Sequence, residues 1–80
     1  MNTKLTTALR AAGFRFTTHE ASGACDASIE ITNADVSIQI TEDGSFIVGV
    51  WDETELAMEY FPVRADVAVV VADVRKAVRS

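Results

Sequence analysis

Residues 28–41 read Ser28-Ile29-Glu30-Ile31-Thr32-Asn33-Ala34-Asp35-Val36-Ser37-Ile38-Gln39-Ile40-Thr41. Ile29, Ile31, Val36, Ile38 and Ile40 alternate with polar residues on both sides of Asn33-Ala34-Asp35. Period-two alternation marks half-buried strands with one wet face, and the short polar break joins them tightly. Asp43-Gly44, a strong hairpin dipeptide of the two-residue type, then leads into Phe46. These runs predict an antiparallel meander. A further strand follows Asp52 and Glu53, where Leu56, Met58 and Tyr60 alternate with Glu55, Ala57 and Glu59, and Pro62 closes the sheet.

Helical spacing flanks the strands. Leu5, Ala8, Leu9 and Ala12 fall at i, i+3, i+4, i+7, with Asn2 or Thr3 to cap the helix and Gly13 to end it in a left-handed residue. Phe14 and Phe16 alternate with Arg15 and Thr17 in a strand over 14–19, and residues 21–26 form a small-residue loop. Residues 67–71 are β-branched enough to suit a strand. The stripe Val67, Val70, Val71, Val74, Val78 instead predicts a helix over 65–79, with Asp66 at its start and Arg75, Lys76 and Arg79 in its last turn. The expected fold is therefore one α+β domain over residues 1–80. It is a two-layer sandwich of helix, four or five antiparallel strands and helix, with both helices on one face of the sheet.

Charge is segregated along the chain. Glu20, Asp26, Glu30, Asp35, Glu42, Asp43, Asp52, Glu53, Glu55 and Glu59 occupy the middle, where no Lys or Arg interrupts them. Lys4, Arg10, Arg15, Arg64, Arg75, Lys76 and Arg79 lie outside it, and the net charge is −5. An acidic balance argues against attraction to phosphate backbones or anionic lipid and favours a basic partner. No apolar run nears the roughly 20 residues that cross a bilayer, and the first residues lack a signal-peptide layout. Cys25 is the only cysteine, which excludes an internal disulfide. A cytoplasmic location follows as the expectation.

Chemistry-bearing clusters are sparse. His19 and Cys25 make a nucleophile pair only on paper, since no helix N-terminus or basic neighbour lowers the thiol pKa. Structural zinc needs about four Cys or His ligands, and the sequence holds two. Glu42-Asp43 and Asp52-Glu53 match no cation-loop signature and fall in turns at opposite ends of the meander. The reading is a non-enzymatic protein with no cofactor and no metal.

If the Ile/Val face points inward with Phe46, Val48, Val50, Leu56, Met58 and Tyr60, alternation sends Glu30, Gln39, Ile47, Gly49, Trp51, Glu55, Glu59 and Phe61 outward. Glu30, Trp51, Asp52, Glu53, Glu55, Glu59 and Phe61 are then the expected partner-binding residues. The aromatics serve as anchors and the carboxylates provide steering. Residues 46–51 are apolar on both sides, which also describes a central strand with Trp51 leaning over an edge or under a loop.

Two resemblances bear on function. The order of helix, strands and helix resembles double-stranded-RNA-binding domains, in which a basic cluster at the start of the second helix grips phosphates. Here the basic cluster, Arg75-Lys76-Ala77-Val78-Arg79, sits at the other end of that helix, and the strand loops are acidic, so direct nucleic-acid binding does not carry over. In size, acidity and lack of catalytic machinery the whole chain resembles small phage- or plasmid-encoded inhibitors, anti-CRISPR proteins among them. That resemblance implies carboxylates on a rigid scaffold blocking a basic channel of a nucleic-acid-handling protein or nucleoprotein complex, in the host cell of a phage. The alternative is a small structural domain that homo-oligomerises through its exposed sheet face or edge.

Overall fold

The computed structural model describes residues 3–23 and 26–79, the last by its backbone alone. Asn2 as a helix cap, the Cys25 thiol and the Arg79 side chain lie outside the described residues. The elements are α1 (Thr3–Ala11), β1 (Phe16–His19), β2 (Ala27–Ile31), β3 (Val36–Ile40), β4 (Phe46–Asp52), β5 (Ala57–Tyr60) and α2 (Val67–Arg79). The strands form one antiparallel sheet in chain order, so the meander has five strands with β1 and β5 at its edges. The fold is α+β, as the alternation and helical spacing predict. No helix among the described residues is long and apolar enough to cross a membrane.

Register places Ile29 opposite Ile38 and Ile38 opposite Val48, so the apolar sets of three strands share one face. Leu5 and Leu9 of α1, and Val70, Val74 and Ala77 of α2, join them in a single core together with Ile31, Val36 and Phe46. Both helices therefore cover the same side of the sheet. Each fully buried Leu, Ile or Val contributes about 1.5–3 kcal/mol of apolar transfer, which is the main source of stability in a chain this short.

The ends of the helices obey local chemistry. Gly13 is left-handed (φ 89°), its amide donates to the Arg10 carbonyl, and the Phe14 amide donates to the Leu9 carbonyl. This is a Schellman closure, and it leaves Phe14 packed against the core. It also delays the first strand to Phe16. At α2, the Asp66 carboxylate accepts from the Ala68 amide at 2.9 Å and its carbonyl from the Val70 amide, which makes Asp66 the N-cap.

One turn differs from its expected form. At Asp43-Gly44, Gly44 has φ 86° and Asp43 does not have positive φ, which rules out the two-residue primed turn. Glu42, Asp43 and Gly44 instead form a three-residue loop. The Gly44 amide donates to the Thr41 carbonyl and the Thr41 amide to the Ser45 carbonyl. The Thr41 hydroxyl and the Ser45 amide both donate to the Asp43 carboxylate and hold its pKa below the ordinary 3.8. The last strand ends before Pro62, as expected; past it, Arg64 adds an isolated bridge to Phe46 through two backbone bonds of 2.7 and 2.8 Å.

The apolar stripe of α2 is rotated from the expected one. Val70, Asp73, Val74 and Ala77 face the core, Val67 and Val71 flank them, and Val78 is exposed. Asp73 sits in this stripe with only 4% of its side chain exposed, and Arg64 Nε donates to it at 2.8 Å. Arg64 thus bridges the sheet through its backbone and α2 through its guanidinium.

Two outcomes follow. Arg64→Ala strands a buried carboxylate, and since Arg64 is one-third exposed and water reaches the gap, a loss of about 2 kcal/mol is expected in urea unfolding. Arg64→Met combined with Asp73→Leu should return to within about 1 kcal/mol of wild type, because an apolar pair needs no mutual charge. For Asp43, NMR titration of the carboxyl should give a midpoint under 3.8, and Thr41→Val should move it upward. The sign follows from a folded pKa below the unfolded one: this contribution is present above 3.8 and is lost as pH falls through the folded value.

Candidate functional site

The side of the sheet away from the helices is uncovered. Cross-strand register sets His19, Ser28, Gln39 and Ile47 in one row and Thr17, Glu30, Ser37, Gly49 and Tyr60 in the next, with Trp51 opposite Met58 beyond them. The face is therefore polar over β1–β3 and apolar over β4–β5. In the polar half, Gln39 Nε2 donates to Asp26 at 3.0 Å, and His19 Nε2 lies 3.6 Å from Glu30.

In the apolar half the glycine is needed. A Cβ on Gly49 would stand 2.9 Å from Met58 Cε and 3.1 Å from the Tyr60 ring, so both side chains lie across the bare backbone. Trp51, 40% exposed, and Tyr60, 64% exposed, complete an aromatic surface beside Ile47 and Met58. β4 runs inside the sheet between β3 and β5, and Trp51 lies on the open face rather than under a loop.

The facing of β5 corrects the alternation inferred above. Met58 and Tyr60 were expected inward and Glu59 and Phe61 outward; the reverse holds. Met58 pairs with Trp51 and Tyr60 with Gly49 on the open side, while the Phe61 amide donates to the Val48 carbonyl at 2.9 Å and its ring packs against the core. The cause lies in the preceding turn. Asp52 Oδ1 accepts from the amides of Thr54 and Glu55, which turns the chain through residues 53–56. Leu56 then takes the left-handed conformation (φ 54°) with its side chain 73% exposed, instead of beginning the strand. The Asp-x-Thr pattern at 52–54 is the one sequence signal for this longer turn.

The expected partner-binding residues consequently divide. Trp51 and Glu30 share the open face but stand two strands apart. Asp52 and Glu59 face the helix side of the β4–β5 edge, where with Glu55 each offers a carboxylate oxygen within 4.8 Å of the others. Glu53 is exposed in the turn, and Phe61 belongs to the core margin rather than to a binding face. Oxygen donors of this kind suit a hard cation, but Glu55 and Glu59 are exposed, and half-buried Asp52 already caps the turn. Met58 and Tyr60, left out of the expected set, form part of the aromatic surface.

Folding separates eight of the ten acids of the middle segment between the two ends of the sheet, while Glu30 and Glu59 lie within β2 and β5. Asp35, Asp52, Glu53 and Glu55 gather at one end of the sheet, where the Trp51 amide donates to the Asp35 carbonyl at 2.8 Å. Glu20, Asp26, Glu42 and Asp43 gather at the other. Arg10, Arg75 and Lys76 lie on the helix layer, and Arg10 stacks on Phe16 with 5.2 Å to the ring centre. Among the described residues the ion pairs are Arg64–Asp73 and His19–Glu30, so no described Lys or Arg neutralises an acid of the middle segment. The two acidic ends replace the single acidic face expected from the sequence.

Comparison of the chain with protein-family models, with curated proteins and with solved structures gave no match. The site stands on its geometry alone.

That geometry gives one test of the turn. A left-handed Leu costs about 1 kcal/mol relative to a residue without a Cβ. Leu56→Gly is expected to raise stability by about 0.5–1 kcal/mol in urea unfolding, whereas a loss of that size would mean that the exposed side chain packs on the fold.

Proposed function

We propose that this chain is a non-enzymatic protein-binding inhibitor or adaptor. It docks the β4–β5 half of its open face, with the adjoining acidic end, onto a basic surface of another protein. The observation that carries this reading is the juxtaposition at one end of the sheet: Trp51 and Tyr60 exposed and Met58 half-buried around Gly49, beside the unneutralised carboxylates of Asp35, Asp52, Glu53 and Glu55. Small proteins rarely expose clustered aromatics without a use for them. A buried Trp or Tyr anchor contributes about 2 kcal/mol or more to an interface, and carboxylates around it speed encounter with a cationic surface.

The finer reading concerns the partner. A protein that handles nucleic acid carries a basic groove for phosphates, and the acidic end of this sheet offers carboxylates in their place, in the manner of the anti-CRISPR class of inhibitors. No direct contact with nucleic acid is part of this proposal, because the net charge of −5 opposes it.

Self-association is the second reading, favoured by Leu56, Tyr60 and Val63, all exposed along the β5 side. Sedimentation of the isolated protein separates the two: a monomer supports an external partner, and a dimer abolished by Trp51→Ala supports self-assembly. Immobilised wild-type protein should retain a basic protein from host lysate at low salt and release it at high salt. Trp51→Ala and the double reversal Glu53→Lys, Glu55→Lys should each lose it. Capture indifferent to salt and to both variants would overturn the proposal.

A further inference from the structure

Antiparallel pairing determines which backbone groups of β5 have partners inside the sheet. The Phe61 amide donates to the Val48 carbonyl, and on the opposite side of β4 the Trp51 amide donates to the Asp35 carbonyl. Hydrogen-bonded and open positions alternate along such a ladder. Val48, Val50 and Asp52 therefore turn their backbone groups toward β5, where Phe61, Glu59 and Ala57 meet them. Met58 and Tyr60 consequently direct both amide and carbonyl away from the sheet. Beyond them Pro62 has no amide, and Arg64 turns back to Phe46. The edge offers two donors and two acceptors in extended backbone.

Its two faces differ in chemistry. Three carboxylates, Glu59, Asp52 and Glu55, against one cation, Lys76 of α2 in the cleft beside Glu59, make one side net acidic; Met58 and Tyr60, with Trp51, make the other apolar. Alternate side chains of an added strand meet these two faces in turn.

We propose that β5 is a docking edge for an extended basic segment of a partner protein. The segment adds as a sixth strand, with Lys or Arg facing Glu59, Asp52 and Glu55 and apolar side chains facing Met58, Tyr60 and Trp51. Strand addition of this kind draws affinity from the main chain and specificity from alternate side chains. This inference rests on the reading of the chain as a protein-binding module, and adds the element used and the character of the ligand.

A second copy of the chain fits the edge poorly. Two β5 strands in antiparallel pairing make four backbone bonds only when Met58 meets Tyr60, since other registers bring in Pro62 or the left-handed Leu56. That register sets two Glu59 side chains directly opposite each other, a destabilising like-charge pair. The β1 strand supplies no alternative, because Phe16–His19 contains no Lys or Arg. The β1 edge is also unsuited to receive a basic segment, with Arg10 stacked on Phe16 and Arg15 preceding the strand.

The test uses a blocked hexapeptide alternating Lys and Val as probe, a Glu/Val hexapeptide as control, and amide hydrogen exchange followed by NMR. In the free protein the Met58 and Tyr60 amides should exchange faster than those of Glu59 and Phe61. Saturating Lys/Val peptide should slow them about tenfold or more, and the Glu/Val peptide should not. Glu59→Lys should weaken the Lys/Val peptide roughly fivefold. Met58→Pro deletes an outward amide without touching the β4 ladder and should abolish binding; should it fail to fold, Glu59→Lys still decides. Binding that leaves Met58 and Tyr60 unprotected, equal binding of the Glu/Val peptide, or concentration-dependent self-assembly in place of peptide binding overturns the proposal. If the peptide fails while lysate capture still depends on Trp51, strand addition is wrong and the protein-binding reading stands.

Discussion

Arg64 ties the sheet to the second helix. Its backbone bridges Phe46 at the start of β4, and its guanidinium meets the carboxylate of Asp73 inside the core-facing stripe of α2. In the connection from sheet to helix Phe61 packs against the core, but Pro62, Val63 and Ala65 are exposed, so past Phe61 apolar packing does little to fix the path. A charge-assisted bond of 2.8 Å supplies direction where packing cannot. With Asp66 capping α2 two residues later, the helix start is held on both sides, and Val70, Val74 and Ala77 are delivered onto Val48 and Ile38. The same clamp holds the chain past Pro62 against β4, so β5 lies between two fixed points, the Asp52 turn and Arg64.

Much of this was readable in residues whose chemistry is local. Alternation in 28–41 fixes β2 and β3, Gly13 marks the end of α1, and Asp66 marks the start of α2. Two features were not readable, for physical reasons. Residues 56–61 are apolar in both parities, with Leu56, Met58 and Tyr60 in one and Ala57 and Phe61 in the other, so hydrophobicity does not choose a face. The choice is made by a turn ending in a left-handed Leu, which carries no Gly or Asn signal. The burial of Asp73 depends on a partner nine residues away, outside any helical spacing. The acids form one run in sequence, but the division of Glu42-Asp43 and Asp52-Glu53 between opposite ends was legible, because a meander sends successive turns to opposite ends.

That last point changes what segregated charge means. Turns collect polar residues because their backbone must stay solvated, and in the turns between these strands every charged residue is acidic. The helix layer carries Lys4, Arg10, Arg75 and Lys76. The molecule is thus polarised between layers, with the negative side subdivided into two ends. Only the end bearing Asp35, Asp52, Glu53 and Glu55 also borders exposed aromatic surface. Charge without adjacent apolar area steers but does not hold a partner, since exposed ion pairs contribute little affinity once screened by salt. On that physical ground the two acidic ends are unequal.

Edge strands invite indiscriminate pairing, and the two edges of this sheet are protected unequally. β1 is four residues long, and a helix cation covers Phe16. β5 is as short, is followed by Pro62, and sets Glu59 opposite itself in the one register that satisfies its backbone. These devices discourage a second copy but leave Met58 and Tyr60 open to a strand of opposite charge, because the feature that repels self attracts a cation. A purely protective edge would not also bring Asp52 and Glu55 beside Glu59, since crowding like charges lowers stability without further blocking the backbone. Nor would it keep Gly49 bare so that Met58 and Tyr60 lie flat across it. The combination disfavours one occupant and suits another, which is the pattern expected where specificity is built from repulsion as well as attraction.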